Sequence, residues 1–322
     1  MALISATTPD RAAPPTAPAA PPGPPLWALL RDACARPGRR ATAVGGAACL
    51  GLLGAVFWAN LRHFAYVWAT DGNYSHGFLV PLMSLYFANE AARRGPVSVR
   101  GGAWLGTALL ATAMLGKLAT VLVPVGIVGD LALLLGLAGL CALLAGREAL
   151  RRYGFALGFL AFMVPLPVHL YTTIASPLQG VVSRIAAAIL NATGIPVLAE
   201  GNLLTLPGDV RMFVAEACSG MRQLTGFLAL TAAVAYLAPR PSWYRAVVVL
   251  AAVPVALTAN VARVTLTGWI MSYDPRLALG TFHTVEGLLM MGFGLALLSL
   301  GCKGLDLIAG ATGGIKHPEV TR

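Results

Sequence analysis

Residues 122–146 read LVPVGIVGDLALLLGLAGLCALLAG, and Arg147, Arg151 and Arg152 follow directly. One charge, Asp130, interrupts a run long enough to cross the ~30 Å hydrocarbon core of a bilayer as a helix. A surface helix of a soluble domain carries a polar face, and this stretch has none. Seven further runs of near-spanning length lie at about 41–61, 77–91, 102–120, 153–171, 219–238, 245–269 and 285–303. The second is short and its start falls within 64–76 on one reading. Composition agrees: 57% of the 322 residues are hydrophobic and 11% charged, against about 25% charged in a soluble domain. The sequence therefore predicts an all-α polytopic membrane protein with about eight transmembrane helices. It excludes a dinucleotide-binding enzyme, a secreted disulfide scaffold and a nucleic-acid-binding domain.

The formal net charge is +10, and its placement matters more than its size. Arg31, Arg36, Arg39 and Arg40 precede the first run. Arg93, Arg94 and Arg100 lie between the second and third, Arg147, Arg151 and Arg152 between the fourth and fifth, and Arg240 and Arg245 between the sixth and seventh. Lys303, Lys316 and Arg322 follow the eighth. Every second loop is basic, so the positive-inside rule puts both termini in the cytoplasm. No basic stripe is interleaved with stacking aromatics, so nucleic acid is not an expected partner.

Residues 12–25, AAPPTAPAAPPGPP, lack the apolar side chains that offset ordering entropy. No basic start followed by an apolar stretch marks a signal peptide. The expected organisation is a disordered cytoplasmic N-terminus over 1–40, a membrane domain over 41–305 and a cytoplasmic tail over 306–322. One long segment, about 172–217, falls on the outer side. It begins amphipathically, as an interfacial helix would. It continues through two turn signals, Glu200-Gly201-Asn202 and Pro207-Gly208-Asp209, which predict a small strand hairpin leading into the sixth helix. No internal repeat of the transporter kind is visible.

Five cysteines stand at positions 34, 49, 141, 218 and 302. Four read as small apolar filler. Cys218 alone falls on the outer side, so it has no disulfide partner there. It opens the sixth helix, whose dipole favours a thiolate, and Arg222 lies one turn on. Arg263, in the outer third of the seventh helix with Asn260 at i−3, is an intramembrane cation. His283 enters the eighth helix from outside, with Glu286 at i+3. Taken singly, these read as a buried small residue, a snorkelling arginine and an interfacial histidine. Taken together they map to the outer ends of three consecutive helices. A thiol nucleophile, a cation for developing negative charge and an imidazole for proton transfer are the equipment of cysteine acyl transfer.

These residues give the sequence a resemblance to the exosortase/archaeosortase family, in its bacterial exosortase branch. The carriers are EACSGMRQL at 216–224, NVARVTL at 260–266, HTVEG at 283–287 and the early WATDGNYSHGFLVPLMSLYFA at 68–88; the role of Tyr74–Gly77 within the last is not assigned. The resemblance covers most of 45–305. It implies a membrane-embedded cysteine protease or transpeptidase of the inner membrane. Such enzymes cleave exported proteins that end in a short sorting motif, typically Pro-Glu-Pro, then a transmembrane helix and a basic tail. On this resemblance Cys218 is the nucleophile, Arg263 the thiolate or oxyanion partner and His283 the proton carrier; Ser219, Gly220, Arg222, Asn260 and Glu286 support them. Histidine at 283 favours the bacterial branch, since archaeosortases usually carry arginine there. Gln223 departs from a common serine. The chain's early end after the eighth helix suggests that no C-terminal accessory domain is present.

Lys117 and Asp130 are expected to pair across a helical hairpin. His76 and His169 are alternative proton carriers, and Ser219 is a weaker nucleophile with no base at motif distance. No metal spacing occurs, and neither metal nor cofactor is expected. The expected partners are exported protein substrates and membrane lipid. The rival reading is an exopolysaccharide assembly scaffold or transporter without catalysis, but a transporter should carry broken helices and charges at the midplane. Here the polar residues gather at the outer ends. An impermeant thiol reagent applied to intact cells should accordingly label Cys218 and spare Cys34. The opposite pattern would invert the topology.

Overall fold

The computed structural model describes residues 23–97, 101–123, 125–214, 220–274, 276 and 281–311. The apolar runs are helical, but they are not eight equal spans. Among the described residues five helices are long and apolar enough to cross a membrane, or six if one bent pair counts as a single span. That pair is α2 (Pro37–Val56) and α3 (Trp58–Thr70), bent by 68° at Phe57. α4 (Leu79–Ala92) has only 14 residues and is preceded by a 3-10 turn, Gly72–Phe78. α5 (Ala103–Leu122) is a full span. Residues 26–40, assigned above to a disordered terminus, form α1 (Leu26–Ala35) and the start of α2. α1 docks on α4, where the Leu26 N–H donates to Asn89 Oδ1 at 2.9 Å.

The fourth and fifth runs belong to one element, α6 (Gly126–Phe159), broken at Gly146 with φ 89° and ψ 172°. Along an unbroken helix Leu133 and Met163 would stand about 45 Å apart. Instead both pack into one apolar cluster and line one cavity of about 640 Å³. The two arms of α6 therefore fold back alongside each other, and a single residue does the work of the expected basic loop. The second arm ends in a 3-10 turn, Leu160–Met163, and Pro165 and Pro167 prevent its continuation to 171.

α7 (Val168–Ala192) is a 25-residue helix, apolar and long enough by composition to count among the five, and it takes in the amphipathic stretch read as an interfacial helix. Its buried stripe, including Gln179, Val182, Ala186 and Leu190, packs along α10 (Ala252–Tyr273). Gln179 shares a small cavity with Ala256 and Asn260, whereas Leu190 lies against Gly268. The two helices thus run in the same direction. The sheet that follows α7 therefore sits at the end where α10 finishes.

The sheet has three antiparallel strands rather than a two-stranded hairpin: β1 (Leu198–Glu200), β2 (Leu203–Leu206) and β3 (Val210–Phe213), in that order. Both turns fall where the sequence signals lie, with Gly201, Gly208 and Asp209 at positive φ. α8 (Gly220–Leu237), α9 (Ser242–Leu250) and α11 (Thr281–Ala311) complete the chain.

Polar contacts gather at the basic end of the bundle and at a second level away from it. At the basic end Arg152 Nη1 donates to the Gly95 carbonyl at 3.4 Å, Arg240 pairs with Asp306 at 3.0 Å and the Tyr244 hydroxyl reaches the Cys302 carbonyl at 3.4 Å. Away from the basic end Trp68 Nε1 donates to the Met163 carbonyl at 2.9 Å, the Leu166 N–H donates to the Tyr74 hydroxyl at 3.0 Å and His76 Nε2 lies 3.2 Å from the Phe162 carbonyl. The Trp-x₅-Tyr-x-His pattern is therefore a clamp on the proline-broken segment after α6. Gly77 is required because a Cβ there would strike the Trp68 indole. Lys117 and Asp130 do not pair directly. Asn60 stands between them, accepting from Lys117 Nζ at 2.6 Å and donating to Asp130 Oδ1 at 2.8 Å. The amide satisfies two costly intramembrane charges at once and fixes α3 just beyond the bend.

Gly146 occupies a backbone region that is essentially closed to residues with a Cβ, at a cost of about 1–3 kcal/mol. Gly146→Ala should lower the unfolding temperature of the protein in detergent. Gly154→Ala, at an uncrowded helical position, should be neutral or slightly stabilising.

Candidate active site

α10 carries Asn260, Arg263 and Thr267 at i, i+3 and i+7, which places them on one helical face. All three are buried. Facing them is Glu286 on α11, fully buried. Arg263 Nε lies 3.7 Å from Glu286 Oε2. Thr267 Oγ1 donates to Glu286 Oε1 and also approaches the Arg263 carbonyl at 3.0 Å. A guanidinium 5% exposed does not snorkel. It is held inside the bundle because a carboxylate of opposite charge accompanies it.

The level of this pair follows from packing. Phe227 of α8 packs with Ala252, Ala256 and Ala259 of α10, and a Cβ at Gly294 of α11 would strike its ring. α8 and α11 run antiparallel to α10. Seven residues, about 10 Å, separate Phe227 from Gly220 and Ala256 from Arg263. The first residue of α8 therefore lies level with Arg263 and Glu286. The expected neighbourhood of the sixth, seventh and eighth apolar runs is what the structure has.

Of the residues singled out in the sequence, the structure brings together Asn260, Arg263 and Glu286. Gly220 begins α8. Cys218 and Ser219 lie outside the described residues, as do the side chains of Arg222 and His283. Asn260 lines the small cavity between α7, α8 and α10 together with Gln179, whose Oε1 accepts from Asn202 Nδ2 at 2.8 Å. Asn260 Oδ1 is buried and, among the described residues, has no hydrogen-bond partner. His76 is engaged in the clamp; desolvation lowers its pKa, partly opposed by hydrogen bonds to the Phe162 and Asn73 backbone. His169 is exposed at the start of α7.

Sequence reading ranked Glu286 below Arg263 and did not single out Thr267. The available signal was the i+4 spacing of Thr267 from Arg263, together with a carboxylate inside an apolar run.

A family model described as transmembrane exosortase matches residues 68–300. The chain belongs to the transmembrane exosortase family. No curated protein and no solved structure matches it. Membership makes this exosortase-family chain a multi-pass membrane protein, and the family is generally one of cysteine-type transpeptidases that act in protein sorting. The matched region begins at Trp68, so it takes in the clamp, the sheet, α8 and the Arg263–Glu286 pair.

Removing one partner of a buried ion pair strands the other charge, at about 3–5 kcal/mol. Glu286→Ala should therefore lower the unfolding temperature sharply. Glu286→Gln, which can still accept from Thr267, should cost less. Equal effects would mean that packing, and not charge compensation, is what Glu286 supplies.

Proposed function

We propose that this protein is a cysteine transpeptidase of the bacterial inner membrane that processes exported proteins at their C-terminal sorting signals. The Cys218 thiolate attacks the carbonyl carbon of the scissile peptide bond. Arg263 stabilises the oxyanion. The carbon–nitrogen bond then breaks, His283 protonates the departing amine, and the acyl group remains on sulfur as a thioester. An incoming amine, hydroxyl or water, deprotonated by His283, attacks that thioester and regenerates the thiolate. Arg222 and the α8 N-terminus favour the thiolate, with Ser219 and Gly220 shaping its turn. Asn260 and Glu286 hold the face that presents Arg263.

The observation that carries this reading is the buried Arg263–Glu286 pair at the level where α8 begins. A cation kept at this depth, beside the helix that follows the only outer cysteine of the sequence, suits charge developing at a thiol. Depth supports the reading too. Arg263 lies nineteen residues beyond Tyr244 of the basic end, roughly 28 Å of helix. That is close to the bilayer's hydrocarbon thickness. With the basic end in the cytoplasm, the pair sits at the outer interface. The large cavity is lined almost wholly by apolar groups, which speaks against a transporter's polar path.

The test is co-expression with a substrate bearing a sorting motif, a transmembrane helix and a basic tail. Cys218→Ala should abolish processing while the protein remains in the membrane. Arg263→Lys keeps the charge but loses the forked donors. It should lower the rate by about 100-fold, the scale of one lost oxyanion donor. Inserting about four residues between motif and helix, ~6 Å if helical, should lift the scissile bond off the site and sharply reduce processing. Full processing by Cys218→Ala would overturn the enzymatic reading.

A further inference from the structure

The three-stranded sheet lies at the same end as Arg263 and Glu286, and its buried face (Leu204, Leu206, Met212) packs with Val264 of α10 and Val182 and Ala186 of α7. β2 is paired on both sides, so β1 and β3 are the edges. Their edges differ. On the β1 side Asn191 of α7 brackets Val197, accepting from its N–H at 3.0 Å and donating to its carbonyl at 2.9 Å. That staple ties the approach to β1 onto the helix.

The β3 edge can be read residue by residue. The Val214 N–H donates to the Asn202 carbonyl at 2.9 Å, and the register pairs Leu204 with Met212 and Leu206 with Val210. In an antiparallel ladder, hydrogen-bonded and non-hydrogen-bonded pairs alternate. Val214, Met212 and Val210 therefore direct their backbone groups at β2. Arg211 and Phe213 direct theirs away from it. Among the described residues nothing bonds to those outward N–H and C=O groups. The side chains of Arg211 and Phe213 stand exposed, and among the described residues Arg211 pairs with Asp209 beside it at 3.5 Å.

An unpaired strand edge is a template for another extended chain. This edge has a particular neighbour. Cys218 follows Phe213 by five residues, so it lies within about 17 Å along the chain. The strand whose edge is open is also the strand that leads into the candidate nucleophile.

We propose that the exported substrate binds as a fourth strand on the edge of β3, held by the backbone groups of Arg211 and Phe213, with its scissile bond delivered toward Cys218. The proposal rests on the reading of Cys218 as nucleophile. The ligand class is an extended peptide anchored in the membrane. Main-chain hydrogen bonds give it affinity, and alternate side chains meet Arg211 and Phe213 on the exposed face. An acidic side chain opposite Arg211 would be favoured over a basic one.

The experiment measures affinity, apart from turnover. The full chain carrying Cys218→Ala is placed in nanodiscs with a peptide spanning the motif and transmembrane helix of a processed substrate. Arg211→Pro and Phe213→Pro each remove an outward N–H while leaving the bonds to β2, and edge strands tolerate proline in that orientation. Each should weaken binding by roughly threefold to tenfold, one hydrogen bond's worth. Arg211→Ala and Phe213→Ala retain the backbone and should shift it less. N-methylation of the peptide at successive residues needs no change in the protein and should weaken binding at every second position. Wild-type affinity for both proline variants, or an N-methyl profile without the two-residue period, would overturn the proposal. Processing that survives Cys218→Ala would instead refute the nucleophile assignment, and the binding profile would still decide the edge.

Discussion

The charge pair of Arg263 and Glu286 governs how the half of this molecule away from the basic end can be built. Neither group is tolerable alone inside an apolar bundle. Together, with Thr267 donating to the carboxylate, they are. The pair fixes α10 against α11 at one height, because a shift of one helical turn would part the charges by about 5 Å. It also directs Arg263 Nε at Glu286. For the chemistry proposed above, a rigid guanidinium is worth more than a mobile one, since preorganised donors need no rearrangement as charge develops.

The other polar contacts play the same part at lower stakes. Asn60 between Lys117 and Asp130 fixes the region where α2 bends into α3. The Trp68–Tyr74–His76 clamp holds three consecutive backbone regions after α6, where Pro165 and Pro167 leave no helix to stabilise the chain. Next to the basic end lies an aromatic cluster in which Phe155 stacks on Tyr236 at 3.9 Å, Phe87 meets both Phe155 and Phe159 edge-on and Arg94 lies over the Tyr236 ring at 4.9 Å. Apolar and aromatic packing joins the helices, and these polar contacts fix their relative heights.

The parts of this arrangement that the bilayer demands were legible in sequence. A membrane span needs a long apolar run, so the apolar helices announced themselves locally. The turns at Gly201 and Gly208-Asp209 were legible because positive φ restricts the residue types that can stand there. What could not be read was whatever depends on partners far apart in the chain. Glu286 lies nineteen residues from Thr267, and Asn60 lies seventy from Asp130. Nothing in a local window says that an amide will stand between a lysine and an aspartate. Gly146 was hidden differently: one glycine among 36 gave no sign that it would replace a whole loop. In α7 the few polar residues do not all face outward. Gln179 and Ser183 instead face inward, where Asn202 and the helix's own Gln179 carbonyl satisfy them.

The smallness of β3 has an energetic consequence. Two edge residues offer about four main-chain hydrogen bonds, and at roughly 0.5–1.5 kcal/mol each they sum to a few kcal/mol at most. A free peptide held by that alone would bind only in the millimolar range, too weakly for selective processing. A transmembrane segment in the substrate changes the accounting. It confines the motif to a thin layer at the membrane surface, where tethering supplies effective concentrations of the same millimolar order. A weak edge then suffices, and selectivity passes from the motif's side chains to its height above the bilayer. On the proposed reading, the same confinement would make a deep pocket beside Arg263 unnecessary. The nucleophile, the cation and the strand edge need only share one level, and that level is set by the length of α9 and α10 between the basic end and the Arg263–Glu286 pair.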